Sequence, residues 1–174
     1  MENVRDRAIR AAEELLKEEG IYSLTLNRVL AKAGVSKGGF FHHFATKEEL
    51  VHALFESGMA SYQQEMEGLR QSGMGETEAR IRTSFNRIRR TDPLTIVAVA
   101  AVATDGALSS VMSARVKESL QAGLDEGLPA DRVKLALLAV QGLFLERLFG
   151  IEPSEAEIDD LERIVLDLIR PTAP

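Results

Sequence analysis

Residues 25–44 read TLNRVLAKAGVSKGGFFHHF, and the organisation of the chain follows from how that stretch must fold. Thr25 is a good helix N-cap, with Leu24 and Val29 placed on either side of it as a hydrophobic staple. Gly34 ends that helix, because glycine takes the left-handed conformation without a steric penalty. Ser36 caps the next helix at once, with Val35 and Phe40 as its staple. Two short helices joined by the turn Ala33-Gly34-Val35-Ser36 form the layout of a DNA-reading helix-turn-helix. In that layout the second helix enters the major groove by its N-terminal end. Phe40 and Phe44 are four residues apart and turn inward. The opposite surface then shows Lys37, Gly38, Phe41 and His42. Lys37 can meet a phosphate or a guanine edge, and Phe41 a thymine methyl. Gly38 and Gly39 each disfavour a helix by about 1 kcal/mol against Ala. The pair points to something that the backbone approaches closely, for which DNA is a good candidate.

Working outward, helix signals continue in both directions. Ala8, Ile9, Ala12, Leu15 and Leu16 give a first helix, over about 4–19, one apolar stripe. Thr46 and Glu49 make a capping box for a long fourth helix to about residue 70. Caps, prolines and glycines then divide the chain into helices over about 76–90, 94–103, 109–125, 129–149 and 154–170. Alternating β-branched runs and hairpin dipeptides are scarce. The expected fold is all-α with about nine helices. A helix-turn-helix domain of three helices occupies residues 1–50, and a helical ligand-binding and dimerisation body occupies 51–174.

Charge fits that division. The net charge is −6, but residues 1–50 carry eight Lys+Arg against eight Asp+Glu, so the whole deficit falls on 51–174. A neutral segment binds DNA when its cations share one face. The absence of Cys excludes disulfides and thiolate chemistry. No apolar run is long enough to span a bilayer, and residues 1–10 have no signal-peptide core, so a cytoplasmic protein with no membrane partner is expected. No nucleophile elbow, phosphate-binding glycine loop or His-Glu-x-x-His pair is present. Neither an enzyme nor a cofactor is therefore expected. His42 and His43 point about 100° apart on a helix and have no third ligand nearby, so no metal is expected. The arginines at 80, 82, 87, 89 and 90 read as a solvated face rather than a second DNA site.

Residues 5–55 resemble the DNA-binding domain of the TetR family of bacterial repressors. The resemblance is carried by Thr25, the run Ala33-Gly34-Val35-Ser36-Lys37-Gly38, the run Phe41-His42-His43-Phe44 and the run Lys47-Glu48-Glu49-Leu50. It implies a homodimer on a pseudo-palindromic, double-stranded operator, released when a small-molecule effector enters the C-terminal domain. It also implies DNA-facing roles for Thr25, Ser36, Lys37, Gly38, His42, His43 and Lys47. Thr25, Ser36 and Lys47 would sit at helix starts, where backbone amides also attract phosphate. Two positions depart from the family. Phe41 stands where a Tyr is frequent, and Gly39 where a polar side chain is frequent, which shifts weight from base reading to phosphate positioning and DNA shape. The alternative is a helical ligand-sensing protein that does not bind DNA.

In the body, the helix from residue 129 is apolar on more than one face and must be covered from several sides. Val140, Phe144 and Leu148 on that helix, with Ile158, Leu161, Val165 and Leu168 on the last, are the expected dimer interface, pairing as a four-helix bundle. The alternative is that both faces are used inside one subunit. The resemblance implies an effector pocket among the middle helices. Its candidate lining is Ile96, Val97, Ala100, Ala101, Thr104, Leu108, Met112 and Val116, which suits an apolar or aromatic effector; ordinary core is the other reading of each.

Overall fold

Residues 3–20, 23–90, 92 and 105–170 are described by the computed structural model. Among them there are eight helices and no strand. These are α1 (Val4–Glu19), α2 (Leu26–Ala33), α3 (Lys37–His43), α4 (Lys47–Gln71), α5 (Glu76–Arg89), α6 (Gly106–Asp125), α7 (Ala130–Leu148) and α8 (Glu155–Ile169). The all-α expectation holds. The helix expected over 94–103 lies outside the described residues.

Most helices start where a side-chain oxygen meets an otherwise unpaired backbone N–H. Thr25, Ser36, Thr46 and Ser154 all cap as the sequence indicates, the last two within capping boxes. Two starts differ. α6 begins at Gly106, three residues before the expected Ser109, because the Asp105 carboxylate accepts from the N–H groups of Ala107 (2.8 Å) and Leu108 (3.3 Å). α5 has Gly75 at its cap position and no local side-chain cap. The Glu126 carboxylate, from the turn after α6, accepts there from Glu76 N–H and from Thr77 N–H at 3.1 Å.

Two cores result. The N-terminal one joins Ile9, Ala12, Leu15 and Leu16 of α1 to Leu24, Val29, Phe40 and Phe44. It also takes Leu50, Ala53 and Leu54, so it extends past residue 50 into α4. In the second, α5 is central and packs against α4, α6, α7 and α8. Ile81, Phe85 and Ile88 of α5 meet Ala136, Val140 and Leu143 of α7 and Ile158, Val165, Leu166 and Ile169 of α8. α6 and α7 cross so closely at Gly123 that a Cβ there would lie 2.7 Å from Val133 Cγ2.

Three residues of the expected dimer face are taken up by the chain's own core. Val140, Ile158 and Val165 are only 7%, 1% and 2% exposed, and Phe144 and Leu161 pack on the same core. Leu168 is half-buried, and the side chain of Leu148 lies outside the description. The three-four seam of α8 is covered by α5 and α7 of its own chain. Within α7 and α8, Leu135, Leu138 and Leu145 of the first and Ile164 of the second are left outside, each 45–54% exposed.

The arginine-rich run of α5 is corrected too. Arg87 is buried and Arg80 nearly so, and every one of the five is ion-paired: Arg80 with Glu76, Arg82 with Glu78, Arg87 with Asp92, Arg89 with Asp159 and Glu162, Arg90 with Glu65. Long guanidinium side chains at a helix–helix seam bury their stems while their heads find carboxylates.

Candidate nucleic-acid interface

The turn between α2 and α3 is built as its residues require. Gly34 is left-handed (φ 60°, ψ 35°) and its N–H returns to Leu30 O at 3.2 Å. The exposed carbonyls at the end of α2 have a partner that sequence reasoning missed. The Arg7 guanidinium, on α1, donates to Ala33 O at 2.7 Å and Gly34 O at 3.1 Å. A cation is also favourable at a helix C-terminus. α2 is tied to α1 twice more, by Arg28 to Glu19 and by Lys32 to Glu18 at 2.7 Å. The turn is thus held against α1 by three cations, and Phe40 and Phe44 fix α3 from beneath, their rings 5.6 Å apart.

The face of α3 turned away from that core carries most of the expected DNA-facing residues. Ser36, Lys37, Gly38, His42, His43 and Lys47 are exposed, as is Thr25 at the start of α2. Lys37 and Lys47 make no ion pair among the described residues, unlike Arg28 and Lys32. Ser36 accepts from Gly39 N–H at 3.2 Å and Thr25 from Arg28 N–H at 3.4 Å, so both hydroxyls already cap while lying at the surface.

The two glycines separate. A Cβ on Gly38 would meet nothing within 4 Å, whereas one on Gly39 would lie 3.0 Å from Ser36 Oγ and 3.6 Å from Val4 Cγ2. Gly39 is therefore explained by the cap and α1, and only Gly38 is left open for a close approach from outside. Phe41 is also partly withdrawn: it packs edge-on against Phe40, centroids 5.4 Å apart, at the margin of the core. The His42 and His43 rings stand 5.3 Å apart, and no group of three metal-ligating side chains occurs among the described residues.

α4 carries the N-terminal core into the rest of the molecule without a break. Halfway along, Arg87 donates to Ser61 Oγ (2.9 Å) and Asp92 (2.7 Å) and lies over the Tyr62 ring at 5.4 Å. Close by, burial, with the charge of Asp92, pushes the carboxyl of Glu13 on α1 above its ordinary value. Farther toward the N-terminus of α4, His52 Nε2 meets Asp105 Oδ2 at 2.6 Å, and that bond holds the Asp105 carboxyl below its usual range.

Of the expected effector-lining residues, Ile96, Val97, Ala100, Ala101 and Thr104 lie outside the described residues. Leu108 is buried against Phe55, with Met112 at the edge of that small cluster, and Val116 is half-buried. Leu108 also borders a cavity of about 480 Å³ between α4 and α6. Its other walls, including His52, Phe55, Met59, Val111 and Arg115, were not found from the sequence. They come from two helices, at positions more than forty residues apart, and have no common local signal.

Comparison with known proteins agrees with this architecture. The family model described as "Bacterial regulatory proteins, tetR family" matches residues 8–54, and "Tetracyclin repressor-like, C-terminal domain" matches residues 75–172. The HTH-type transcriptional repressor NemR of Escherichia coli K12 is 34% identical over 79 residues, 45% of this chain and 40% of NemR. The chain thus matches well under two thirds of the length of that curated relative. A transcriptional regulator of Rhodococcus sp. Rha1 superposes with a TM-score of 0.71 at 20% identity, over 95% of each chain. AibR, solved in complex with isovaleryl coenzyme A and operator DNA, gives 0.69 at 18% identity over 98% of this chain and 100% of AibR. Those likenesses carry the fold, and the two family matches, one on each core, carry the assignment: the chain belongs to the TetR family of bacterial regulatory proteins.

Proposed function

We propose that this chain is a ligand-responsive transcriptional repressor of the cytoplasm, acting as a homodimer on a pseudo-palindromic operator with α3 in the major groove. The observation that carries the reading is the surface of the helix-turn-helix. Lys37 and Lys47 stand exposed and, among the described residues, without an ion pair at the starts of α3 and α4, while Arg28 and Lys32 of α2 are tied to carboxylates. Helix starts with a free cation are places for phosphate. In this reading Thr25, Ser36, His42 and His43 complete the contact surface, Gly38 lets the backbone approach, and Phe41 contributes only its exposed edge.

The reading divides the chain into a head, closed by the first turns of α4, and a body that dimerises and senses the effector. The exposed face of Leu135, Leu138 and Leu145, together with the exposed Ile164 of α8, is the pairing surface we assign to the dimer. Gly142 lies on that face with open space around it, so a partner helix can approach. AibR was solved in complex with isovaleryl coenzyme A and operator DNA, and for this chain a coupling of effector to operator is proposed. α4 is the lever, since it leaves the head core and enters the body as one 25-residue helix. A dimer reads both half-sites only when its two recognition helices lie about 34–36 Å apart or a multiple of that. The effector must bind the DNA-incompetent state more tightly, since equal affinity shifts nothing.

Selection of bound sequences from a random duplex pool tests the reading. The expected result is a two-fold symmetric site. Lys37→Ala and Lys47→Ala should each weaken binding and reduce the slope of log affinity against log salt by about 1.8, from two lost phosphate contacts per dimer. Enrichment of no sequence would favour the ligand sensor that does not bind DNA. An unchanged slope would make the lysines ordinary surface charges.

A further inference from the structure

The cavity between α4 and α6 has an apolar floor and a single unspent charge. Phe55 and Met59 of α4 and Leu108 and Val111 of α6 form the floor, and Val111 is well exposed into it. The polar groups on its walls are His52, Glu56, Gln63 and Arg115. His52 is engaged with Asp105, and Glu56 with Arg5 at 3.4 Å. Gln63 is neutral. Arg115 is half-buried and has no ion-pair partner among the described residues. The volume, about 480 Å³, falls within the range of small-molecule sites.

We propose that this cleft binds an amphipathic organic anion, its apolar body on the Phe55, Met59, Leu108 and Val111 floor and its carboxylate on Arg115. A guanidinium offers a planar fork that matches a carboxylate and is cheaper to dehydrate than an ammonium. A partly buried, unpaired one beside an apolar floor selects for the opposite charge. The proposal rests on the effector reading above and narrows it from an apolar or aromatic ligand to an anionic one. It also says how the ligand reaches the DNA. The α4–α6 seam consists of the small Phe55–Leu108 cluster and the His52–Asp105 bond, and one of its two walls is the helix that leaves the head. A ligand seated there presses on α4 directly.

The test uses the full chain without DNA, with octanoate and 1-octanol as probes in calorimetric titrations. Octanoate is expected to bind about tenfold more tightly than the alcohol, as for a charge-assisted contact. Arg115→Gln should abolish that preference, and Arg115→Lys should keep part of it. Val111→Trp, at an exposed position, should weaken both probes with the melting temperature preserved. Equal affinity for the two probes, no binding of octanoate, or a preference that survives Arg115→Gln would overturn the proposal. Anisotropy on the selected operator is a separate arm. Octanoate bound with the Arg115-dependent preference supports the anion site even where operator affinity stays unchanged, and that combination ends only the effector reading.

Discussion

Replacing Gly38 by Ala separates two reasons for a glycine at that position. In the free protein a Cβ there meets nothing within 4 Å, so the substitution brings no clash and restricts the unfolded chain. The expected gain is about 0.5–1 kcal/mol, which for a chain of this size raises the melting temperature by roughly 1–4 °C. In the proposed DNA complex the same methyl group stands on the exposed side of α3 that faces the groove. If it displaces one backbone–phosphate hydrogen bond per half-site, each costs about 1 kcal/mol. The dimer loses two, so operator affinity falls about thirtyfold. Gly39→Ala is the internal control. Its Cβ lies 3.0 Å from Ser36 Oγ, and disturbing that cap costs about 1 kcal/mol, which cancels the gain. Thermal unfolding followed by circular dichroism and anisotropy on a labelled operator read both quantities. A Gly38→Ala protein that is more stable and binds the operator as tightly as the parent would refute the close-approach argument.

The remaining predictions concern the body and its junction with the head. Glu13→Gln should raise the melting temperature at pH 7. Burial raises the folded-state carboxyl above its unfolded value, so ionised Glu13 opposes folding at high pH. The gain should shrink as pH falls through the folded value and vanish below the unfolded one, and a gain independent of pH would contradict it. Glu126→Ala removes the side-chain cap on α5 and should cost about 1–2 kcal/mol in chemical denaturation; a cost near zero would mean that water replaces the carboxylate. Leu138→Glu combined with Leu145→Glu should give folded monomers in sedimentation, since both side chains lie outside the core. An unchanged dimer would move the pairing surface elsewhere.

What was legible in the sequence was local. Thr25, Gly34, Ser36 and Thr46 act within four residues of themselves, and the helix-turn-helix they define is where the sequence placed it. Arg7 and Glu126 satisfy helix ends 26 and 50 residues away, and nothing in a local pattern announces such a partner. α7 is a third kind of case. Its two apolar faces were visible, but hydrophobic periodicity does not say which face meets its own chain. Once α5 is seen to occupy the Val140 side, the outer leucines are what remain for another molecule. Within the candidate DNA surface, Gly38 and Gly39 are equally poor helix formers, and the positions of Ser36 Oγ and Val4 distinguish them in space. The cleft residues His52 and Arg115 were missed for the reason Arg7 was.

The Glu126 cap also orders events in time. The N-terminal core takes its residues from positions 8–54, so all of its contacts are available once that segment has left the ribosome. The first turn of α5 follows soon after, but its amides have no protein acceptor until residue 126 is synthesised, 50 positions later. Closing so long a loop is slow compared with forming a helical turn. During synthesis, therefore, a finished helix-turn-helix precedes a body that is still assembling, and the apolar face of α7 exists only after that body closes. On the proposed dimeric reading, a nascent chain passes through a stage with one reading head and no partner, whose hold on DNA is that of a single half-site.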